Sequence, residues 1–204
     1  MKTIKKILPI FSYIFHPIFI PISAALIYFF FNDSYYTNPE IYFAILQILI
    51  VTILLPILFF FVLRTAGKVD SIMVSEISQR KIPLVIQCLL TVLLIRKCIT
   101  LEHFPELHFF FLGGLLSTML ALVFVFLRTK ASLHILALSA LTVFIFGLSI
   151  HNQTQNTYMI AFFVLMNGVV ASSRLEMKAH TPKELVIGFL LGLIPQLLLL
   201  RFWL

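Results

Sequence analysis

IYFAILQILIVTILLPILFFFVL, Ile41 to Leu63, runs for 23 residues without one formal charge. A helix crosses a bilayer with about 20 mainly apolar residues, whereas a barrel strand needs only about 10 with alternating polarity. The stretch has the length of the first and lacks the alternation of the second. Inside lipid, where no water completes the backbone hydrogen bonds, a helix is the conformation left to it. Working outward, the polar breaks leave six more such runs, near 8–31, 83–100, 108–127, 133–150, 157–172 and 185–203. With 61% hydrophobic residues, 11% charged ones and 22 phenylalanines, almost nothing remains for a soluble surface. The expectation is an all-α, polytopic transmembrane bundle of six to seven helices, with residues 1–204 as a single transmembrane domain.

The N-terminus, MKTIKKILPIFSYIF, starts with the charge of a signal peptide, but its apolar run continues to Phe31. It reads as an uncleaved first helix, kinked by Pro17 and Pro21, with His16 as a packing contact between helices. Gly113, Gly114 and Ser117 read as a small-residue face for close helix approach. Cys88 and Cys98 lie about 15 Å apart along one helix, too far for a disulfide, and read as apolar filler.

Seven helices place the N-terminus and the loops near 64–82, 128–132 and 173–184 on one face. That face carries twelve Lys and Arg, and the other only Arg96, Lys97 and Arg201. By the positive-inside rule the first face is cytoplasmic. The expected setting is a bacterial inner membrane. The net charge of +7 sits in short loops beside apolar spans, which points to lipid headgroups or a phosphorylated lipid and away from nucleic acid.

Three polar clusters share the cationic face: EISQRKIP before the third run, RTKASLH before the fifth and SSRLEMKAHTPKE before the seventh. Phosphoryl transfer by an imidazole needs a neutral histidine, a carboxylate to fix its tautomer, a second histidine as acid and cations for the phosphate oxygens. His180, Glu184, His134 and Arg174 can fill those roles, and Ser132, opening a helix, can offer its hydroxyl and the amides after it to an anion. Local structure offers a competing account. Thr181, Pro182 and Glu184 fit a capping box, Ser132 fits an N-cap, Glu76 and Arg80 fit a helical ion pair, and Lys178 can face headgroups. The combination is less easily explained: Arg, five residues, His, three residues, acid has a chance expectation of about 0.007 in a chain of this composition. On the opposite face LEHFPELH collects Glu102, His103, Glu106 and His108, but their spacing fits no zinc-ligand pattern.

These residues resemble the type 2 phosphatidic acid phosphatases, whose site is shared with the vanadium haloperoxidases. Ser173, Arg174, His180, Glu184 and Gly188 match the spacing of that family's third motif, with Glu in place of Asp. Of the second motif, Pro-Ser-Gly-His, Ser132 and His134 remain. Of the first, Arg80 lies three residues before Pro83 instead of one, and Met73 stands where the family has Lys. The resemblance implies metal-independent hydrolysis of a lipid phosphate through a phosphohistidine, without cofactor. It implies His180 as nucleophile, Glu184 as its orienting acid and His134 as the leaving-group acid. Arg174, Ser132, the Leu133 amide, Arg80 and Lys81 become the phosphate ligands. The competing expectation is a non-catalytic membrane protein of similar fold that binds or transports lipid.

Overall fold

The computed structural model describes residues 2–32, 35–70 and 76–204, with side chains from Ile7 onward. Met73 and the side chains of Lys2, Lys5 and Lys6 lie outside the described residues. Every regular element among those described is helical, and seven helical segments are long and apolar enough to cross a membrane. The chain is an integral membrane protein built as an all-α bundle. Large side chains such as Phe30, Phe43, Phe61 and Leu198 are exposed on its outside, where lipid in place of water removes any penalty.

The first span is two helices, α1 (Lys2–Ile14) and α2 (Ile20–Phe31), separated by a 3-10 turn at Pro17–Phe19. The expected kink is a full break. Pro17 cannot donate a backbone hydrogen bond, and His16 is extended (φ −66°, ψ 138°) with Nδ1 accepting from the Ile18 amide at 3.3 Å. Pro21 sits in the first turn of α2, where its missing N–H costs nothing. The second span joins α3 (Asn38–Leu49) to α4 (Leu55–Thr65) through a π turn at Ile50–Leu54. Pro56 causes it: its ring would collide with the carbonyl four residues back, and the wider turn removes that conflict. The remaining spans are α5 (Lys81–Lys97, after a 3-10 turn at Ser78–Arg80), α6 (Pro105–Phe126), α7 (Leu133–His151), α8 (Thr157–Glu176) and α9 (Pro182–Leu200).

The central helix is α7. Buried residues make up 67% of its apolar window, against 17–44% in the other spans, and it packs on α2, α6, α8 and α9. Its contact with α9 is close because Gly188 and Gly192 present no side chain. A Cβ at Gly188 would lie 2.5 Å from the Ser132 carbonyl oxygen, and one at Gly192 would collide with the Leu136 carbonyl and the Ser139 hydroxyl. Of the glycine pair on α6, Gly113 receives the Gln196 side chain, whose amide donates to the Phe110 carbonyl at 2.8 Å. Gly114 meets nothing there and opens onto a cavity.

At the far end from the cationic loops, LEHFPELH ties helices together. Glu106 accepts from the Tyr28 hydroxyl at 2.8 Å and faces His151 Nε2 at 3.2 Å, and His108 Nδ1 meets the Ile99 carbonyl at 2.7 Å. Among the described residues no three His, Cys, Asp or Glu converge on a metal-sized point.

Candidate active site

The site forms where α5, α7 and α9 begin and α8 ends. Chain reversal after α8 depends on Lys178, which takes a left-handed conformation (φ 51°) and lets the Ala179 amide donate back to the Arg174 carbonyl at 3.1 Å. That turn brings His180 over the end of α8. Thr181 then caps α9, and Pro182 occupies its first turn. The same Glu184 Oε2 accepts from the Thr181 amide at 3.3 Å and lies 2.7 Å from His180 Nδ1. Helix capping and histidine orientation, which compete in the sequence, are served by one oxygen. A carboxylate only accepts, so His180 carries its proton on Nδ1 and its lone pair on Nε2.

His180 is buried and its imidazole lies between two spaces. On one side a cavity of about 500 Å³ reaches into the bundle, lined mainly by apolar side chains, with His16, Arg80, Leu133, His134, Arg174 and His180 on its wall. On the other side a polar cleft of about 440 Å³ is lined by Lys130, Lys178, His180, Thr181 and Glu184. Burial lowers the His180 pKa to about 4, the Glu184 hydrogen bond opposing and Arg80, Arg174 and Lys130 reinforcing. Burial and then Arg80 also lower the Lys130 pKa.

Most of the residues singled out from sequence meet here. Arg80, buried, donates from its guanidinium to the Ala131 carbonyl at 2.9 Å, tying the start of α5 to the loop before α7. The Ser132 amide donates to the Glu184 carbonyl at 3.1 Å, joining that loop to α9. Ser132 stands at the N-cap position of α7, yet its side chain makes no capping bond. Among the described residues its hydroxyl is buried without a partner, as is Arg174 Nε. Buried polar atoms are rarely left unmatched; Arg174 lines the cavity, whereas Ser132, expected from sequence as a phosphate ligand, is fully buried and lines neither the cavity nor the cleft. Lys81 is placed elsewhere, its ammonium 5.1 Å from the Phe126 ring centroid and off the cavity wall.

Two site residues escaped the sequence reading. Lys130, there one loop cation among many, reaches the cleft and donates to the Ala179 carbonyl at 3.3 Å. His16, assigned to packing, stands on the cavity wall with its ring centroid 5.1 Å from that of His134. Since its Nδ1 accepts from the Ile18 amide, its proton is on Nε2. An ionisable residue at a proline break inside a span was the available signal. The same break wraps the site further: the Ser12 hydroxyl lies 2.6 Å from that of Ser173, and the Ser12 carbonyl lies 3.1 Å from His134 Nε2. A carbonyl only accepts, so His134 has its proton on Nε2.

The His180 titration yields a signed expectation. Its imidazole stays neutral well below the ordinary value of about 6.5, so if His180 is the nucleophile towards a phosphate ester, the acid limb of kcat/KM should fall below pH 5 once phosphate's own titration near pH 6 is divided out. Glu184→Gln removes the interaction that raises the pKa and should move the limb further down. It should also lower kcat about 10³-fold, because the amide no longer dictates the tautomer. A limb at or above pH 6.5 in the wild type would sink this placement of a buried neutral imidazole. Between about pH 4 and 6.5 the unfolded chain binds the extra proton, so stability falls as pH drops through that window.

No family model, no curated protein and no solved structure matches the chain.

Proposed function

We propose that the chain is a membrane lipid phosphatase that removes phosphate from a phosphomonoester or diphosphate lipid, such as phosphatidate, another glycerophosphate lipid or a polyprenyl diphosphate. The observation that carries this reading is the position of His180. One imidazole, oriented by Glu184, borders both an apolar cavity inside the bundle and a polar cleft at its surface. A lipid tail needs the first and water the second. Arg80 and Arg174 stand on the cavity wall beside it, and Lys130 lines the cleft.

In this reading Nε2 of His180 attacks phosphorus, and the N–P bond forms as the P–O bond to the lipid breaks. The leaving oxygen takes a proton from His134 in its doubly protonated, cationic form, which returns to the neutral imidazole; His16 stands beside it. Water from the cleft then attacks the phosphohistidine, its hydroxyl going to phosphorus and its proton restoring the acid. One water is consumed, and lipid alcohol and inorganic phosphate are released. The excess of cations on the face that carries the N-terminus supports a cytoplasmic N-terminus by the positive-inside rule.

The test is phosphate release from a panel of lipid phosphates with EDTA present, together with trapping of a covalent phosphoprotein under alkaline quench. Release accompanied by a label on His180 supports the reading, and neither from a folded protein overturns it. One observation favours the non-catalytic alternative, a lipid-binding or transport protein: the neutral His134 ring has its one proton engaged by the Ser12 carbonyl and must gain a second before it can serve a leaving group. Saturable binding of a lipid phosphate without turnover would select that alternative.

A further inference from the structure

His16 matches none of the motif positions on which the resemblance rests, yet it stands on the cavity wall with Arg174 and His134. Turn formation explains only half of its ring. Nδ1 accepts from the Ile18 amide at 3.3 Å and supports the chain break, a task that Asn, Asp or Ser performs as well. Nε2–H is left over: it has no hydrogen-bond partner among the described residues, and the residue lines the cavity. An unmatched donor inside a membrane bundle costs more than an apolar side chain of the same size, and an ionisable residue at that depth is by default a functional feature.

The same break defines how His134 can act. α1 ends at Ile14, and the Ser12 carbonyl, which the next turn of an unbroken helix would occupy, instead lies 3.1 Å from His134 Nε2. That contact keeps a proton on Nε2 whether the ring is neutral or cationic. The proton that His134 gives to a leaving oxygen is therefore the second one, on Nδ1. The rings of His16 and His134 meet edge to face with centroids 5.1 Å apart, so a group that enters the cavity against one ring is beside the other. Together they offer one oxygen two different services, a hydrogen bond from a neutral ring and a proton from a cationic one. Negative charge developing on the leaving oxygen needs both most when the leaving group is an alcohol, a weak acid. A neutral imidazole acts as an electrophile without giving up its proton.

We propose that His16 is a further catalytic residue of the phosphatase reaction, its neutral Nε2–H donating a hydrogen bond to the leaving oxygen while His134 Nδ1 delivers the proton. This rests on the phosphatase reading. As the bond from phosphorus to the leaving oxygen breaks, its electron pair stays on that oxygen, the His134 Nδ1 proton moves to it and the lipid alcohol departs. His16 keeps its proton throughout, and the water that attacks the phosphohistidine returns a proton to His134 Nδ1.

Two substitutions separate the two nitrogens of the His16 ring. The amide oxygen of Asn stands near the position of Nδ1 and keeps the turn, whereas the amide nitrogen of Gln reaches the position of Nε2 and keeps the donor. The experiment measures kcat and KM of the full chain in lipid nanodiscs on two phosphomonoesters with the same hydrocarbon tail, an alkyl phosphate and a nitrophenyl phosphate whose leaving group needs little help. His16→Asn should lower kcat on the alkyl phosphate about 10²-fold with KM little changed, and on the aryl phosphate less than about fivefold. His16→Gln should stay within about tenfold of wild type on both. Should His16→Asn fold poorly, His16→Ser takes its place, since a hydroxyl also accepts from the amide two residues on. An equal loss on the two esters in His16→Asn, a greater loss in His16→Gln than in His16→Asn, or a His16→Asn rate on the alkyl phosphate within about threefold of wild type would overturn this role and leave the phosphatase standing. Wild-type turnover of the aryl phosphate alone would do the same. With turnover of the alkyl phosphate alone, Gln ranking above Asn supports the role and the reverse order overturns it. A folded wild type that releases phosphate from neither ester would overturn both readings.

Discussion

His180→Ala is expected to lower phosphate release at least 10⁴-fold, the largest effect of any single substitution in this chain. In the proposed reaction His180 forms the covalent bond to phosphorus, and neither Arg80 nor Arg174 can replace it there. Removal of a nucleophile elsewhere in enzymology costs up to about 10⁶-fold, with the residual rate supplied by binding and charge stabilisation. The protein should stay folded. The alanine loses one hydrogen bond to Glu184, about 1–2 kcal/mol, while Glu184 keeps its bond to the Thr181 amide and the cap of α9 survives. Size-exclusion and thermal unfolding in detergent check this directly. A sharper control is His180→Gly with added imidazole, which can enter through the cavity or the cleft and should restore part of the turnover. Activity in His180→Ala within tenfold of wild type would end the assignment of this histidine as nucleophile.

Gly188→Ala should be nearly as damaging for a different reason. The added Cβ would lie 2.5 Å from the Ser132 carbonyl oxygen, where ordinary contact begins at 3.4 Å. The obstacle is backbone at the start of α7 and cannot rotate away. Relief requires α7 and α9 to separate by most of an ångström, and with them His134 and the pair His180–Glu184. A displacement of that size costs about 100-fold in rate, and the strained packing costs about 1–3 kcal/mol of stability. Gly168→Ala supplies the contrast. It lies on α8 away from the site, its added Cβ meets nothing within 4 Å, and alanine is the better helix former by about 1 kcal/mol. Its activity should be unchanged and its melting temperature slightly raised. If Gly188→Ala behaves like Gly168→Ala, the two helices are not held at the separation described.

Gly188 also illustrates how unevenly the site is written in the sequence. Its place four residues after Glu184 is visible as spacing, but the reason for a glycine, the backbone of Ser132 pressed against it, exists only once α7 and α9 pack. The pairing of His180 with Glu184 was legible because residues four apart in a turn and helix start must meet. Lys81 misled for the converse reason: sequence adjacency to Arg80 says nothing about direction, and one residue turns a helix by about 100°, enough to aim the ammonium at Phe126. His16 and Lys130 join the site across more than 100 and about 50 residues of chain respectively, and no local rule reaches so far.

The sequence by itself determined the seven spans, close to their ends, and the all-helical bundle. It did so because lipid leaves each apolar segment to satisfy its own backbone hydrogen bonds, a requirement met residue by residue along the chain. Only the tertiary structure decided which apolar faces enclose a cavity and which meet lipid. Both are lined by the same Phe, Leu and Ile, so hydropathy cannot distinguish them. What separates them is the packing of α7 on α9 through two glycines, together with the proline-driven breaks in the first and second spans.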